Sequence, residues 1–332
     1  MNTLKRAVIT AVEHYVPPKV VTNAYFEAYM DTSDEWIRTR TGITERRFAE
    51  PDVATSDLAL PAAEEVLRKR GLGKGDVDCV IFATVTPDYM FPATACVIQH
   101  KLGLTNTWGF DLSAACSGYL FGLETARRMV ESGGARRVLL CGADKMTSII
   151  NPQDRATAIL FGDAGTATLV EASEDESVGI MDAILHADGS GGQSLYMPAG
   201  GSVKPASHET VDKHEHFAFQ DGQTVFKAAV KGMADVSYEI MQRNNLKPED
   251  VRWLVPHQAN LRIIDATANR MGLDASKVMI NIDRYGNTTA ATIPMCLSEW
   301  HKSGHIQRGD NVILAAFGGG FTWGSIYLKW GM

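Results

Sequence analysis

Three residues of this chain combine a reactive side chain with a position between a predicted strand and a predicted helix. Cys116 stands in a run of small residues, Asp111-Leu112-Ser113-Ala114-Ala115-Cys116-Ser117-Gly118. Such residues allow a sharp turn that leaves the thiol at a helix N-terminus, where the helix dipole favours the thiolate. A thiolate accepts acyl groups from thioesters with little change in bond energy. A buried small residue at a tight turn explains the local sequence equally well.

His257 and Asn287 are the other two. His257 follows the apolar run Trp253-Leu254-Val255-Pro256, and Asn287 lies in Tyr285-Gly286-Asn287-Thr288. A lone histidine more often has a structural role, and Gly-Asn is common in turns and helix caps. Together, however, a thiol, an imidazole and an amide donor at strand–helix junctions form a set suited to thioester chemistry.

A glycine run, Gly318-Gly319-Gly320, allows the backbone to approach a ligand closely. One of its N–H groups, paired with that of Cys116, would form an oxyanion hole. A flexible glycine turn is the alternative. The run does not match a phosphate-binding loop, because neither Gly-x-x-x-x-Gly-Lys-Ser/Thr nor Gly-x-Gly-x-x-Gly occurs in a suitable context.

The elements that must position these residues alternate between short apolar runs and amphipathic segments, which predicts an α/β fold with buried strands. The predicted strands are Cys79–Thr84, Val138–Gly142, Thr166–Val170 and Val312–Phe317. The predicted helices are Asp57–Arg70, Ser117–Ser132, Gln223–Asn244, Leu261–Met271 and Thr289–Ser303. The segment 186–219, rich in Gly, Ser, Pro and His, is predicted to be irregular.

An internal repeat relates the two halves of the chain. The pattern that begins at Leu72 recurs at Leu246, and a Ser-Gly helix end at Ser132 recurs, at a slightly shorter spacing, at Ser303. The shorter spacing places Asn287 at the position equivalent to Cys116, at a strand–helix junction where ligands bind in open α/β sheets. Chance similarity of two βα units is the alternative.

Composition excludes several classes of function. The 332 residues carry a net charge of −7 with no basic block, which argues against nucleic acid or an anionic membrane as the main partner. No run approaches the roughly 20 apolar residues of a transmembrane helix, and the apolar stretch near the N-terminus is too short for a signal peptide. Five cysteines without a Cys-x-x-Cys pair predict no zinc ribbon or disulfide framework. We therefore expect a cytoplasmic protein of about two domains.

Taken in order, the motifs resemble those of β-ketoacyl-acyl-carrier-protein synthase III over nearly the whole chain. They are Asp31-Thr32-Ser33-Asp34-Glu35-Trp36-Ile37 with Arg40-Thr41-Gly42-Ile43, the Cys116 segment, Phe161-Gly162-Asp163, Val255-Pro256-His257-Gln258-Ala259-Asn260, Gly286-Asn287-Thr288 and Phe317-Gly318-Gly319-Gly320-Phe321-Thr322-Trp323-Gly324. The resemblance implies a thiolase-like fold of two duplicated halves, 1–172 and 173–332, in a five-layer α-β-α-β-α arrangement. It also implies a homodimer.

The resemblance implies a two-step reaction that starts type II fatty acid synthesis. Cys116 takes an acyl group from acyl-CoA. Malonyl-acyl-carrier protein then loses carbon dioxide while His257 and Asn287 donate hydrogen bonds to its thioester carbonyl, and the carbanion attacks the acyl group. The N–H groups of Cys116 and Gly319 would hold the oxyanion. The products would be 3-oxoacyl-carrier protein, CoA and carbon dioxide, with no cofactor and no metal.

Further residues take their expected roles only from the resemblance. The residues expected at the CoA and acyl sites are Trp36, Arg40, Thr32, Arg155, Phe226, Asn260, Met146 and Phe161, with Phe91 reaching across the dimer to the partner's acyl pocket. Those expected to receive the acidic carrier protein are Arg262, Lys227 and Arg270. On sequence alone, a surface-packed Trp and ordinary surface Arg residues are the alternative.

Other interpretations stay open at this stage. A specialised relative in secondary metabolism would use the same three residues with another acyl group or acceptor. A non-decarboxylating thiolase would need a second cysteine near the C-terminus, which the region around Gly318–Gly320 lacks. A non-catalytic carrier-protein binder would not need an intact Cys-His-Asn set, and a thiol redox sensor would need a resolving cysteine, which is absent nearby in the sequence. The histidines of 199–219 (His208, His214 and His216) could bind a metal, but a solvated loop is the simpler interpretation.

Overall fold

A computed structural model describes residues 5–332. The strands are β1 Arg6–Tyr15, β2 Lys19–Thr22, β3 Glu45–Phe48, β4 Cys79–Ala83, β5 Trp108–Leu112, β6 Arg137–Asp144, β7 Ala164–Ser173, β8 Gly179–Ala187, β9 Leu195–Tyr196, β10 Phe219–Gln220, β11 Trp253–Pro256, β12 Asn311–Gly318 and β13 Thr322–Lys329. The helices are α1 Asn23–Glu27, α2 Asp34–Thr41, α3 Thr55–Arg70, α4 Thr94–Lys101, α5 Gly118–Glu131, α6 Arg155–Ala158, α7 His208–Asp212, α8 Gly222–Arg243, α9 Leu261–Met271, α10 Ile282–Tyr285 and α11 Thr292–Lys302. Short 3-10 turns occupy Ala115–Ser117, Met146–Ser148, Gly189–Ser194, Ala275–Lys277 and Thr289–Ala291.

The predicted strands and helices are confirmed, with their ends shifted by a few residues. The strands correspond to β4, β6, β7 and β12, and the helices to α3, α5, α8, α9 and α11. The segment 186–219 is less irregular than predicted, because it contains α7 and the short hairpin of β9 with β10. The sequence pattern does not reveal β1 and β8, since neither contains one continuous apolar run.

Two sheets form the core. The first has the strand order β1-β7-β6-β4-β5, and the second has the equivalent order β8-β13-β12-β11. The pairs β4–β5, β4–β6 and β11–β12 are parallel, because helices connect these strands, and the other pairs in both sheets are antiparallel. The first sheet ends at Ser173 and the second begins at Gly179. The division at residue 172 stays a prediction.

Side-chain alternation along the strands produces five layers. In β4, Cys79, Ile81 and Ala83 join the central core with α5 and α11, whereas Val80 and Phe82 face an outer core with α3 and α4. The second sheet does the same, with α8 and α9 on its outer face. Because every central strand is buried on both faces, its sequence is continuously apolar. The predicted α-β-α-β-α arrangement is confirmed.

The elements around the cavity correspond at one spacing, the one that separates Leu72 from Leu246. It relates the first residues of β4 and β11, those of β6 and β12, and the left-handed residues Ala115 (φ 47°) and Thr289 (φ 50°) that begin two equivalent 3-10 turns. Cys116 is therefore equivalent to Ala290, and the predicted equivalence with Asn287 is wrong. The shorter spacing at the helix ends arises because α11 has 11 residues where α5 has 14.

Candidate active site

A cavity of about 920 Å³ opens between the two halves. Its deep end holds the backbone and side chains of Cys116, His257, Asn287 and the glycine run, and its walls come from α2, the 146–161 region, the β9–β10 hairpin and the starts of α8 and α9. Eleven of the predicted site residues line it: Cys116, His257, Asn287, Gly319, Trp36, Arg40, Met146, Phe161, Phe226, Asn260 and Arg262. The other five, Thr32, Arg155, Phe91, Lys227 and Arg270, lie outside its lining.

Cys116 occupies the 3-10 turn between β5 and α5. Ala115 adopts the left-handed conformation, which is uncommon for a residue with a Cβ and marks a tight turn held by its surroundings. β13 supplies part of that support, since the Ser117 hydroxyl donates to the Thr322 carbonyl (2.9 Å) and the Thr322 hydroxyl donates to the Ala114 carbonyl (3.0 Å). The turn fixes the thiol at the bottom of the cavity.

The Cys116 thiol lies where a turn enters a helix, as predicted, but its environment opposes the thiolate that this position was predicted to favour. Burial raises its pKa to about 12, and the nearby Asp144 carboxylate adds to the shift, while a side-chain hydrogen bond with Asn287 opposes it. The thiol lies in the 3-10 turn that leads directly into α5 at Gly118. Loss of water around a charged sulfur is the largest cause of the raised pKa.

His257 follows β11 directly and is almost completely buried. Its backbone N–H donates to the Ala315 carbonyl of β12 (2.7 Å), which extends the parallel pairing by one residue. Nδ1 lies 2.7 Å from the Thr292 hydroxyl, whereas Nε2 has no partner among the described residues. Burial lowers the pKa of the imidazole to about 3, so the ring is neutral at neutral pH.

Asn287 is held by its backbone and by its side-chain oxygen. Its N–H donates to the Leu160 carbonyl (2.8 Å), and its own carbonyl accepts from the Gly162 N–H (3.1 Å). Oδ1 accepts from the Thr289 backbone N–H (2.9 Å). With the oxygen occupied, the amide nitrogen is the group left to donate toward Cys116 and the cavity.

The glycine run places backbone against the Cys116 turn. A Cβ atom built on Gly318 would lie 2.7 Å from the backbone nitrogen of Cys116 and 3.0 Å from that of Ser117. Only glycine allows this approach without displacing the turn. Gly319 lines the cavity beside it. Two backbone segments thus meet beside Cys116 at the cavity.

A cation–aromatic cluster forms one wall of the cavity mouth. The guanidinium carbons of Arg40 and Arg155 lie 4.7 and 4.9 Å from the Trp36 ring centroid. Arg155 also donates to the Asp31 carbonyl (2.6 Å). The Thr32 hydroxyl nearby is buried without a hydrogen-bond partner among the described residues. The cluster offers a flat aromatic face and two positive charges.

The opposite wall carries the remaining predicted contacts. Asn260 caps α9 by accepting from the Arg262 N–H (3.0 Å), and its amide donates to the Arg40 carbonyl (2.9 Å), which links the two walls. The Arg262 guanidinium lies 5.1 Å from the Phe226 ring centroid, and Lys227 is exposed beside it on α8. Arg270 lies in the last turn of α9, and its Nε is 3.4 Å from Asp235 Oδ1.

Met146 and Phe161 are buried near Cys116, whereas Phe91 is not. Phe91 is 86% exposed in the loop before α4, with Met90 (80%) and Tyr89 (61%) beside it. These three form an exposed apolar segment, and β5 is an edge strand of the first sheet. Within one chain, Phe91 contributes nothing to the cavity.

Three residues near the site were missed by sequence reasoning. Asp144, at the end of β6, is buried and accepts hydrogen bonds from Thr84 and Val85 of the first half and from Thr289 of the second. Thr289 and Thr292 orient Asn287 and His257 respectively. Asp144 could have been found, because an acidic residue at the end of a buried strand indicates a functional site. The sequence around Thr289 and Thr292 contains no comparable indication.

The histidines of the 199–219 segment do not form a metal site with other ligands. His214 and His216 have ring centroids 6.4 Å apart, and His208 begins α7. Over residues 5–332, no three His, Cys, Asp or Glu side chains converge in the manner of a metal centre. In the same part of the chain, no helix has the length and apolar character needed to cross a membrane.

A duplicated five-layer fold with Cys, His and Asn converging at the junction of its halves defines a thiolase-like condensing enzyme. Comparison with known proteins narrows this class. Models described as 3-oxoacyl-[acyl-carrier-protein] synthase III and its C-terminal part match residues 110–189 and 241–330. Beta-ketoacyl-[acyl-carrier-protein] synthase III of Chlorobaculum tepidum is 53% identical over 327 residues, covering 98% of this chain and 99% of the relative.

Comparison with solved structures indicates the same family. The synthase III of Thermus thermophilus has a TM-score of 0.90 at 45% identity, covering 98% of this chain and 99% of that one. That of Pseudomonas aeruginosa has a TM-score of 0.90 at 37% identity, covering 99% of both. The chain belongs to the β-ketoacyl-acyl-carrier-protein synthase III family. It is an acyltransferase that carries out the initiating condensation of fatty acid synthesis, and nothing in the comparisons favours the alternative in secondary metabolism.

Proposed function

We propose that this enzyme joins a short acyl group from acyl-CoA to malonyl-acyl-carrier protein through an acyl-Cys116 intermediate. The observation that carries the proposal is the convergence of Cys116, His257 and Asn287 at the bottom of one cavity whose mouth holds Trp36 and Arg40. The depth of the cavity suits a thioester carried on a long flexible arm, which both CoA and a carrier protein provide.

In the first step the Cys116 sulfur attacks the thioester carbonyl of acyl-CoA. The carbon–sulfur bond to CoA breaks, the thiol proton passes to the departing CoA sulfur, and an acyl-Cys116 thioester remains. Because the pKa of the free thiol is raised to about 12, the proton is lost during the attack rather than before it. The backbone N–H groups of Cys116 and Gly319 stabilise the oxyanion.

The CoA nucleotide binds at the cation–aromatic cluster. An adenine ring would stack on Trp36, and Arg40 and Arg155 would neutralise its phosphates. Arg155 now lies over the Trp36 ring, so nucleotide binding requires its guanidinium to move. Thr32 supplies an unpaired hydroxyl nearby. The pantetheine arm would run past Phe226 and Asn260 to Cys116, and Met146 and Phe161 would pack on the acyl group.

In the second step malonyl-acyl-carrier protein replaces CoA. His257 Nε2 and the Asn287 amide donate hydrogen bonds to the malonyl thioester carbonyl, which stabilise the enolate formed when carbon dioxide leaves. The enolate carbon attacks the acyl carbonyl, a new carbon–carbon bond forms, the carbon–sulfur bond to Cys116 breaks, and the released thiolate takes a proton from water. Decarboxylation supplies the driving force, so we propose no resident cofactor and no metal.

The carrier protein would dock on the cavity rim formed by α8 and α9. Arg262 and Lys227 present positive charge there on a chain whose net charge is −7, so this local patch offsets the overall repulsion of an acidic partner. Arg270 contributes less, because Asp235 already offsets its charge.

Dimerisation and location complete the proposal. The exposed segment Tyr89–Phe91 and the open edge of β5 support a homodimer in which Phe91 enters the partner's acyl pocket. All five cysteines are free thiols, four of them buried, which supports a reducing cytoplasmic environment.

The test follows the intermediate by mass. The protein is incubated with a panel of acyl-CoAs, its intact mass is measured, and malonyl-acyl-carrier protein is then added. We expect one acyl adduct on Cys116 that disappears with release of carbon dioxide. An adduct that survives in Cys116→Ala would refute the nucleophile, and an adduct that malonyl-carrier protein never discharges would refute the condensation. Cys96→Ala, which removes an exposed thiol, is the matched control and should acylate normally.

A further inference from the structure

The His257 imidazole has two hydrogen-bonding nitrogens and only one proton. Nδ1 faces the Thr292 hydroxyl, and Nε2 has no partner among residues 5–332, while the ring lines the cavity. If Nδ1 carries the proton, Nε2 presents a lone pair to the cavity. If Nε2 carries it, the ring presents a donor. The two tautomers are therefore opposite in what they offer a substrate carbonyl.

Thr292 also has more partners than protons. Its oxygen lies 2.7 Å from His257 Nδ1 and 3.1 Å from the Thr289 carbonyl oxygen. A carbonyl can only accept, so a hydroxyl that donates to Thr289 must accept from an Nδ1–H. A hydroxyl that donates to Nδ1 leaves the proton on Nε2. One rotation of the hydroxyl thus selects the tautomer of the ring.

The distances favour donation to the ring. The Thr292 oxygen lies 0.4 Å closer to His257 Nδ1 (2.7 Å) than to the Thr289 carbonyl oxygen (3.1 Å), and the shorter contact is the better geometry for its one proton. Thr292 is also buried, so water does not compete for its proton.

We propose that Thr292 is a positioning residue that donates its hydroxyl proton to Nδ1 of His257 and thereby keeps the ring proton on Nε2, facing the substrate. The inference rests on the proposed role of His257 as a hydrogen-bond donor in decarboxylation. Thr289, three residues earlier, holds the Asn287 oxygen and turns that amide nitrogen to the same cavity. One short turn therefore orients both donors.

The inference is tested first by nitrogen-15 NMR of histidine-labelled protein at neutral pH. The chain has nine histidines, and loss of one set of signals in His257→Asn assigns the ring. Couplings between ring protons and nitrogens distinguish the two tautomers. We expect the Nε2–H tautomer in the wild type and in Thr292→Ser, and a shift toward Nδ1–H in Thr292→Val. An Nδ1–H tautomer in the wild type overturns the inference without any variant.

Activity gives the second readout. Thr292→Val should lower the rate of malonyl decarboxylation about tenfold, roughly the value of one hydrogen bond, while acyl transfer to Cys116 changes less than about threefold. Thr292→Ser should restore decarboxylation. Thr267→Val is the matched control, because it removes the buried hydroxyl of a residue that does not itself line the cavity and that donates to the Ile263 carbonyl within α9, and both rates should stay unchanged.

The two proposals fail in different ways. If the wild type shows the Nε2–H tautomer and Thr292→Val alters it, but no condensation is found with any acyl-CoA, the positioning role stands and the proposed function fails. If Thr292→Val keeps both the wild-type tautomer and the wild-type decarboxylation rate, the positioning role is refuted. Equal losses of acyl transfer and decarboxylation in Thr292→Val would also refute it, because they indicate general disruption of the site.

Discussion

Replacing Gly318 with alanine tests the contact between the two backbone segments that would hold the oxyanion. The added Cβ would lie 2.7 Å from the Cys116 nitrogen, 3.0 Å from that of Ser117 and 3.2 Å from the Ala114 carbonyl oxygen. Ordinary contacts lie near about 3.5 Å, so the Cys116 turn must retreat by roughly 0.5–1 Å. All three atoms belong to the backbone, and no side-chain rotation can relieve the overlap.

The expected loss of rate in Gly318→Ala depends on the displacement of the Cys116 backbone N–H. The displaced group is the proposed oxyanion donor, the Cys116 N–H, and removing one such donor lowers kcat by about 10²–10³ in comparable sites. Overpacking of this kind also lowers the free energy of unfolding by about 1–3 kcal/mol. We therefore expect Gly318→Ala to fold, to be moderately less stable, and to transfer the acyl group to Cys116 at least about 10²-fold more slowly.

The assay measures CoA release in a single turnover, with the acyl adduct followed by intact mass. Gly201→Ala is the matched control, because it adds the same methyl group to an exposed glycine with no heavy atom within 4 Å, and its rate should equal that of the wild type. A wild-type rate in Gly318→Ala would show that the turn does not need this contact. Reduced stability with an unchanged rate would show that the strain is relieved elsewhere and that the donor does not move.

Three further expectations follow. His257→Ala and Asn287→Ala should each lower carbon dioxide release from malonyl-carrier protein about 10²–10³-fold and acyl transfer far less, and equal losses in both steps would contradict the division of roles. Asp144→Asn removes the buried negative charge beside Cys116, so the pKa of the thiol should fall, which the pH dependence of alkylation by iodoacetamide measures; an unchanged profile would show that burial alone sets the pKa. Burial lowers the pKa of His14 to about 4, so the unfolded chain binds a proton there below pH 6.5 that the folded protein excludes. The contribution of neutral His14 to the free energy of unfolding is complete above pH 6.5 and is lost as the pH falls toward 4. In denaturant titrations, the free energy of unfolding of His14→Asn should therefore fall less over that range than that of the wild type. If both proteins lose the same free energy, other groups cause the acid sensitivity.

Much of the architecture could be predicted because its signals are local. Strands such as β12 lie between two helical layers, so they are continuously apolar and stand out in the sequence. Helices such as α9 begin at a capping residue and end at a glycine, and its bounds match those predicted. β1 and β8 lie toward the outside of their sheets, where mixed patterns suffice, and the sequence does not reveal them.

The members of the site could also be named from the chain, since Cys116, His257 and Asn287 each follow a strand or turn and sit in recognisable motifs. Which residues of the two halves are equivalent could not be determined from the chain. Two spacings fit the repeat, and only the equivalent turns at Ala115 and Thr289 show that the longer one applies and that Ala290 corresponds to Cys116. A shortened helix conceals this in the sequence, because residues lost from α11 are regained in the following loop.

The sequence by itself determined which side chains are available and where strands and helices form, because those properties depend on neighbours in the chain. The tertiary structure alone decided their chemical state. Burial and Asp144 keep the Cys116 thiol protonated, and burial keeps His257 neutral. Thr292, 35 residues from His257 in sequence, meets its ring. Solvation and hydrogen bonding depend on which groups the fold brings together, and no local pattern records that.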